Sequence, residues 1–506
     1  MRKVHKYTGL FLLPVIFLLV VSGIILNHRE AFSPFDLSRS LLPPSYRYSN
    51  WNYGFFKGAC PWDGNRRLLY GAEGVWLSYG DSTLTECNRG IDAGADQRKI
   101  HRVIRTAGRQ IFAVSSYRLY RLDTCRLQWH AVKTPAAGEA LVDVESRGDT
   151  LVLLSRSRFF TALQDTGLQA PVFTAHQLPA PVRHDIRQSL FRWTWDLHSG
   201  ALWGTAGRIA VDIVGLLFLF VSATGVMIWL CRHRIRYSKS RRHLSLLRQR
   251  FSWYHRHHDK WGYALLLPFL GIALSGAFLR PPLLLLLTRV SVASTGEDNP
   301  WEDRLRTLRY DPDRNYWLLY TSEGMFRADG LHPSAGLHRL SAPPVSVMGL
   351  NVMEKINPEE WIIGSFSGLY RWNPEQHTFS DVLCSAPSAA AAYGLPFSDN
   401  KVSGLVFYAP SHTLLFDYDR GVRTLESGKS FLPMPEAYAA RPMSLWHLAL
   451  EIHTGRIFTF LGLFTLLLPF LWGILALTTL FSGWKISRLK GWSSTFVSTL
   501  FRKRRP

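Results

Sequence analysis

Apolar residues cluster in four long stretches that are nearly free of charge: Thr8 to Asn27, Ile209 to Leu230, Trp261 to Leu279 and Ile457 to Phe481. A helix rises about 1.5 Å per residue and needs roughly 20 residues to cross the hydrocarbon of a bilayer. Each stretch is long enough, so the pattern predicts four membrane-spanning helices. Between them lie two long segments with a different rhythm, in which short aromatic and β-branched runs alternate with Gly, Ser, Asp and Pro, the signature of strands and tight turns. Six hairpin-like units stand out: Leu68–Tyr79, Gln110–Leu122, Thr150–Leu163, Tyr316–Ala328, Glu360–Trp372 and Leu405–Tyr418. Three fall in each segment, at a spacing of about 40 residues that suits the blades of a β-propeller. The expected fold class is a four-helix membrane bundle with an all-β, propeller-like domain made from two loops. Two separate small β-domains remain the alternative.

Charge orients the helices. Of the net +22, residues 1–7, 231–260 and 484–506 together carry +19. Basic segments beside spanning helices stay on the cytoplasmic side. The expected order is therefore helix one within 1–30, an outside loop 31–205, helix two within 206–231 and a basic cytoplasmic loop 232–260. Helix three follows within 261–280, then an outside loop 281–455, helix four within 456–482 and a basic tail 483–506. Because each basic run abuts a span, topology accounts for it and a nucleic-acid partner is not expected. The first stretch ends in Leu26-Asn27-His28-Arg29 rather than in small residues, so it reads as a retained helix and not as a cleaved leader. Four cysteines, Cys60, Cys87, Cys125 and Cys384, fall in the outside loops, where disulfides persist, and Cys231 lies at a cytoplasmic helix end. There is no CxxC or CxxCH, which argues against covalent haem attachment and thiol-based metal sites.

The chain also reads as built twice. Helix one opens His5-Lys6-Tyr7-Thr8-Gly9 and reaches Ser22-Gly23; helix three opens His258-Asp259-Lys260-Trp261-Gly262 and reaches Ser275-Gly276 at the same offset, with Pro14 and Pro268 between. Asp196-Leu197-His198-Ser199-Gly200 precedes helix two, and Glu451-Ile452-His453-Thr454-Gly455 precedes helix four. Both halves run the same way, so the repeats are parallel.

The duplicated positions are histidines. His5 and His258 stand at equivalent cytoplasmic helix starts, and His198 and His453 at equivalent outside starts. Two facing imidazoles are what a six-coordinate b-type haem requires, and filled axial positions favour electron transfer over oxygen chemistry. Two haems b are expected, one near each surface. Gly9 and Gly262, one turn after the inner histidines, leave room for a flat macrocycle or serve close helix packing. His28 closes helix one, roughly 34 Å from His5 along a helix; it either replaces His198 or His453 as an outer ligand or contacts a propionate. Arg29, Arg208, Arg280 and Arg456 are candidate propionate partners, although Arg208 and Asp212 at i, i+4 fit an ion pair equally well. His255 or His257 is an alternative inner ligand. The cytoplasmic segments hold no strand–GxGxxG–helix unit and no P-loop. The electron donor is then a membrane quinol or another protein.

At these residues the chain resembles the PepSY-associated transmembrane family. The likeness rests on His5-x-x-x-Gly9 with Ser22-Gly23 and Leu26-Asn27-His28, on Asp196-Leu197-His198-Ser199-Gly200 with Thr224-Gly225, and on His258-x-x-x-Gly262 with Ser275-Gly276. It implies a bacterial inner-membrane protein linked to iron uptake, some members being two-haem reductases of ferric siderophores. It also implies haem ligands at His5, His28, His198, His258 and His453. The outside loops depart from the family, lacking a PepSY-type α/β module, so the acceptor is a periplasmic ferric chelate or a redox protein. A transporter built on paired repeats and a non-catalytic sensor or scaffold are the competing functions.

Overall fold

The computed structural model of the protein describes residues 1–80, 83–136, 138–164, 171–178, 187–287, 290–293, 299–332, 335–346, 349–383, 399–409, 412–426 and 430–502. Two compact units emerge: a helical one, Met1–Phe32 with Ile186–Ser294 and Leu445–Pro506, and a β-rich one, Ser33–Asp185 with Thr295–Ser444.

The helical unit contains α1 (Arg2–Asn27), α2 (Leu190–Ser199), α3 (Gly204–Tyr237), α4 (Arg241–Ala264), α5 (Leu266–Phe278), α6 (Leu445–His453) and α7 (Leu468–Arg502). Among the described residues three helical segments are long and apolar enough to span a membrane, and a fourth if α4 and α5, bent by 66° at Leu265, form one span. The bend has a local cause. Pro268 has no N–H to offer the Ala264 carbonyl, and its ring crowds that carbonyl. Pro14, in contrast, lies inside an unbroken α1. The fourth apolar stretch is not uniform either. It begins as a 3₁₀ segment, Thr459–Leu467, interrupted at Gly462, and becomes α-helical from Leu468, with Pro469 in the first turn, where its missing N–H costs nothing.

Within the basic stretch 232–260, α3 continues to Tyr237, and α4 starts at Arg241 with Ser240 capping it through the His243 N–H. His198 and His453 each lie in the last turn of a short helix, α2 or α6. Gly200 and Gly455, at φ of 79° and 75°, stop those helices in the left-handed conformation that glycine adopts freely.

The β-rich unit contains six antiparallel meanders, spanning residues 58–86, 100–132, 141–176, 305–340, 350–381 and 402–424. Five have four strands and the last has three, with strand neighbours in chain order throughout. In the five four-stranded sheets the hairpin expected from the sequence is the central pair, and in the sixth it is the first two of three strands; in the fifth, Trp361 pairs with Trp372 across the ladder. The fourth strands, such as Thr83–Glu86 and Thr378–Asp381, are short and mostly exposed. Turn chemistry sets the register. Gly324 and Gly368 take φ of 132° and 135° just after two-residue turns, a conformation other residues resist.

Hydrophobic packing links each sheet to the next. Leu68 and Tyr120 join the first and second sheets, Phe112 and Leu153 the second and third, and Leu154 and Trp317 the third and fourth. Tyr320 and Ile363 join the fourth and fifth, Ile362 and Leu415 the fifth and sixth, and Trp76 and Phe416 the first and sixth. Polar ties cross the same seams. Arg309 donates to Asp143 at 2.6 Å and to the Met353 carbonyl at 2.9 Å, with both charges buried. The described cysteines, Cys60, Cys87, Cys125 and Cys231, are unpaired, and Cys384 lies outside the described residues.

Removing one member of a buried ion pair strands the other charge, at a cost of about 3 kcal/mol. Asp143→Ala is therefore expected to lower the unfolding temperature of the β-rich unit by roughly 5–10 °C in a thermal melt of the full chain. An unchanged melt shows that the pair carries no stability.

Candidate functional site

The site lies in the helical unit and is one local motif used four times. On each of four helices a hydroxyl residue followed by glycine faces a histidine: Ser22-Gly23 on α1, Thr224-Gly225 on α3, Ser275-Gly276 on α5 and Ser482-Gly483 on α7. All four hydroxyl residues are buried. Each receives one histidine from another helix.

The contacts repeat closely. His5 Nδ1 lies 3.0 Å from the Thr479 carbonyl and 3.3 Å from Ser482 Oγ. His258 Nδ1 lies 2.9 Å from the Val221 carbonyl and 3.2 Å from Thr224 Oγ1. For His453 the partners are the Leu19 carbonyl at 3.1 Å and Ser22 Oγ at 3.0 Å. His198 Nδ1 meets Ser275 Oγ at 3.0 Å, with the Ile272 carbonyl alongside. The glycine admits the ring: a Cβ placed there would lie 2.9 Å from His5 Cε1 at Gly483, 3.0 Å from His198 Cε1 at Gly276, 3.1 Å from His258 Cε1 at Gly225 and 3.4 Å from His453 Cε1 at Gly23. A side chain at Gly483, Gly276 or Gly225 crowds the imidazole, whereas at Gly23 its Cβ stands at contact distance.

The exchange is reciprocal. α1 gives His5 to α7 and its Ser22-Gly23 receives His453 from α6, the short helix ahead of α7. α4 gives His258 to α3, and Ser275-Gly276 of α5 receives His198 from α2, the short helix ahead of α3. At Gly9 and Gly262 no histidine ring approaches: a Cβ there would meet Thr479 and Val221 methyls at ordinary separations of 3.9 and 3.7 Å.

This hydrogen bonding fixes the tautomer. A carbonyl only accepts, and each hydroxyl already donates to its own helix; Ser22 Oγ, for example, donates to the Leu18 carbonyl at 2.5 Å. Every Nδ1 must then carry the proton, which leaves Nε2 with a bare lone pair. The rings also meet in twos. His5 and His258 have ring centres 6.0 Å apart at 68°, and His198 and His453 6.2 Å apart at 62°. About 2 Å for each metal–imidazole bond plus about 1 Å from each nitrogen to its ring centre gives about 6 Å for two imidazoles on one metal ion. The residues present thus fit bis-histidine ligation. Among the described residues no group of three or more metal-binding side chains converges, and a bis-histidine site needs only two.

The other candidates are placed differently. His28 Nε2 bonds Asp212 Oδ2 at 2.5 Å and Asn27 holds the other Asp212 oxygen at 3.0 Å. Asn27 also reaches the Ser199 carbonyl, beside His198, at 3.2 Å. Arg29 lies over the Trp446 ring at 4.1 Å. Arg456 is tied to Glu451 at 2.5 Å, and Arg280 lies in the field of both. In the other half, Asp196 is held by Arg192 at 3.0 Å. Both acids two residues before a histidine therefore brace the short helix that carries it. His257 stacks on Trp253 at 4.1 Å, and His255 faces Asp259 at 3.3 Å. Neither joins a histidine pair. Ser482-Gly483 was absent from the sequence expectations, although a search for a fourth hydroxyl–glycine step in the last apolar stretch finds it.

A family model described as the PepSY-associated TM region matches residues 2–489. No curated protein matches. Solved structures give weak likenesses. The extracellular domain of the one component system BT4673 from B. thetaiotaomicron is 9% identical, with a TM-score of 0.35, over 80% of this chain and 44% of that one. PorZ of Porphyromonas gingivalis is 8% identical, with a TM-score of 0.29, over 78% of this chain and 40% of that one. The N-terminal domain of Nup159 is 8% identical, with a TM-score of 0.29, over 74% of this chain and 90% of that one. The chain spans less than half the length of the first two.

Nitrogen NMR of the cofactor-free protein, labelled at histidine and held at pH 8, is expected to show four rings protonated at Nδ1 and bare at Nε2. A proton on Nε2 in any of His5, His198, His258 or His453 contradicts the anchoring described above.

Proposed function

The chain belongs to the family of the PepSY-associated TM region, and from that premise we propose that this multi-pass membrane protein is a b-type dihaem electron-transfer protein that reduces a ferric complex outside the cytoplasm. One observation carries the reading: four histidines, each anchored through Nδ1 on a carbonyl, a hydroxyl and a glycine, meet in two pairs at metal-bridging separation.

In this reading His5 and His258 hold one haem, and His198 and His453 the other. Such a group, when bound, would supply one-electron Fe(III)/Fe(II) chemistry. The protein's own part is to hold four lone pairs in place. Serine, threonine and backbone acceptors keep each ring from swinging, and the four glycines keep its edge free. Burial of the hydroxyls excludes water from the anchors. The substrate is ferric iron in a hard-oxygen, siderophore-like chelate or in a redox partner; taking up one electron weakens the chelator's grip on the metal. Electrons arrive from a membrane quinol or a cytoplasmic protein. Further parts of the reading are that the bent α4–α5 pair acts as one span, giving four; that the halves are parallel repeats; and that the six sheets are the blades of one propeller. The distribution of basic residues supports an inner-membrane setting with cytoplasmic termini and periplasmic loops. His28 serves here as a partner of Asp212 rather than as a ligand.

Protein purified from haem-replete cells is expected to carry two haems per chain, with a Soret band that shifts and sharpens on dithionite. His258→Ala and His453→Ala are each expected to lose about half the haem, and the double variant nearly all. A colourless preparation, or full absorbance in both single variants, overturns the proposal.

A further inference from the structure

Residues 231–260 hold ten Lys or Arg against a single acid, Asp259. Most of them lie on helix, so their side chains fall on definite faces. On α4, Leu247, Phe251 and His258 recur at helical spacing and form the face by which His258 reaches the Val221 carbonyl of α3. Leu247 is buried there. The neighbouring face has another character. Arg242, Leu246, Arg250, Trp253 and Arg256 follow one another at steps of three or four residues, which sets them along one side of the helix. All five are exposed, Leu246 by 48% and Trp253 by 49%. Nothing within the protein answers the charge: among the described residues the three arginines form no ion pair and no side-chain hydrogen bond, and Asp259 faces His255 at 3.3 Å.

Position adds a second constraint. The Trp253 ring meets Phe220 of α3 edge-on, with ring centres 6.4 Å apart. Phe220 lies in an apolar segment long enough to span a membrane. The face thus runs from the level of a span at Trp253 back to Arg242, beside the polar connection between α3 and α4. Arginine presents a fork of donors that matches phosphate oxygens. A soluble anion would leave Leu246 and Trp253 in water, whereas a lipid meets both demands, with its headgroup on the arginines and its chains on the apolar side chains. We propose that this face of α4 binds acidic phospholipid, the phosphates held by Arg242, Arg250 and Arg256 and the acyl chains alongside Leu246 and Trp253. A zwitterionic headgroup brings its own cation to the arginines and is disfavoured. An acidic protein segment would answer the arginines but not a tryptophan set at the level of a span. The site is independent of the haem reading.

The test uses the full chain in phosphatidylcholine nanodiscs with a trace of spin-labelled phosphatidylglycerol or spin-labelled phosphatidylcholine, and reads the fraction of label that the protein immobilises. The wild type is expected to hold phosphatidylglycerol severalfold more strongly than phosphatidylcholine. The triple variant Arg242→Gln, Arg250→Gln, Arg256→Gln is expected to lose most of that preference. Arg232→Gln, Arg234→Gln, Arg236→Gln, which removes the same charge from the end of α3, is expected to keep it. The substituted arginines are exposed, so both variants are expected to melt with the wild type in phosphatidylcholine alone. Equal immobilisation of the two lipids by the wild type overturns the site, as does a full preference in the α4 variant. The same loss in both triple variants also overturns it, because net charge and not this face then attracts the lipid.

Discussion

A carbonyl oxygen can accept a hydrogen bond but never donate one, and the helical unit is organised around that asymmetry. At His5, His258 and His453 the ring's Nδ1 faces a main-chain carbonyl within 3.1 Å, and His198 has the same environment beside Ile272. The proton is forced onto Nδ1, and the lone pair onto Nε2. A histidine without such an anchor samples both tautomers and several rotamers, and it offers a ligand only part of the time. Helix pairing follows from the same constraint. An imidazole fits against a neighbouring helix only where the facing residue is glycine, so each hydroxyl–glycine step fixes which helix its histidine comes from, and at what height.

The framework explains why two of the histidines do not belong to spans. α2 and α6 are short helices stopped by Gly200 and Gly455 directly after the histidine-bearing turn, and braced by Arg192 on Asp196 and Arg456 on Glu451. A histidine in the last turn of a short helix can be set at an angle that a continuous span does not permit. On the other side, the Pro268-linked bend at Leu265 separates His258, on α4, from Ser275, on α5. One apolar stretch thereby serves both histidine pairs.

Much of this was legible in the sequence, for identifiable reasons. Long apolar runs and local alternation report helices and hairpins directly, so all six hairpins appear where the pattern puts them. Identical spacing in two halves singled out His5, His198, His258 and His453, because a repeat filters chance occurrences. Other features depend on distant chain segments. The partners of each ring lie between 34 and 477 residues away, and no local pattern encodes that Gly483 rather than Gly9 admits an imidazole. The bend at Leu265 was hidden because Pro14, one position away from the equivalent of Pro268 in the repeat, leaves its helix unbroken. His28 drew attention through its position at a helix end, whereas Asp212, which holds it, is recognisable only after folding. The fourth strands of the β-sheets were missed because short, exposed edge strands carry little hydrophobic alternation.

The pairing of imidazoles at bridging distance is the claim from which the proposed activity follows, and electron paramagnetic resonance of the oxidised, haem-replete protein addresses it most directly. Two histidines on each iron give exclusively low-spin ferric signals that account for two irons per chain. A high-spin ferric signal at either site means that one of the four histidines does not reach its iron, and absence of any haem signal means that the pairs hold no haem.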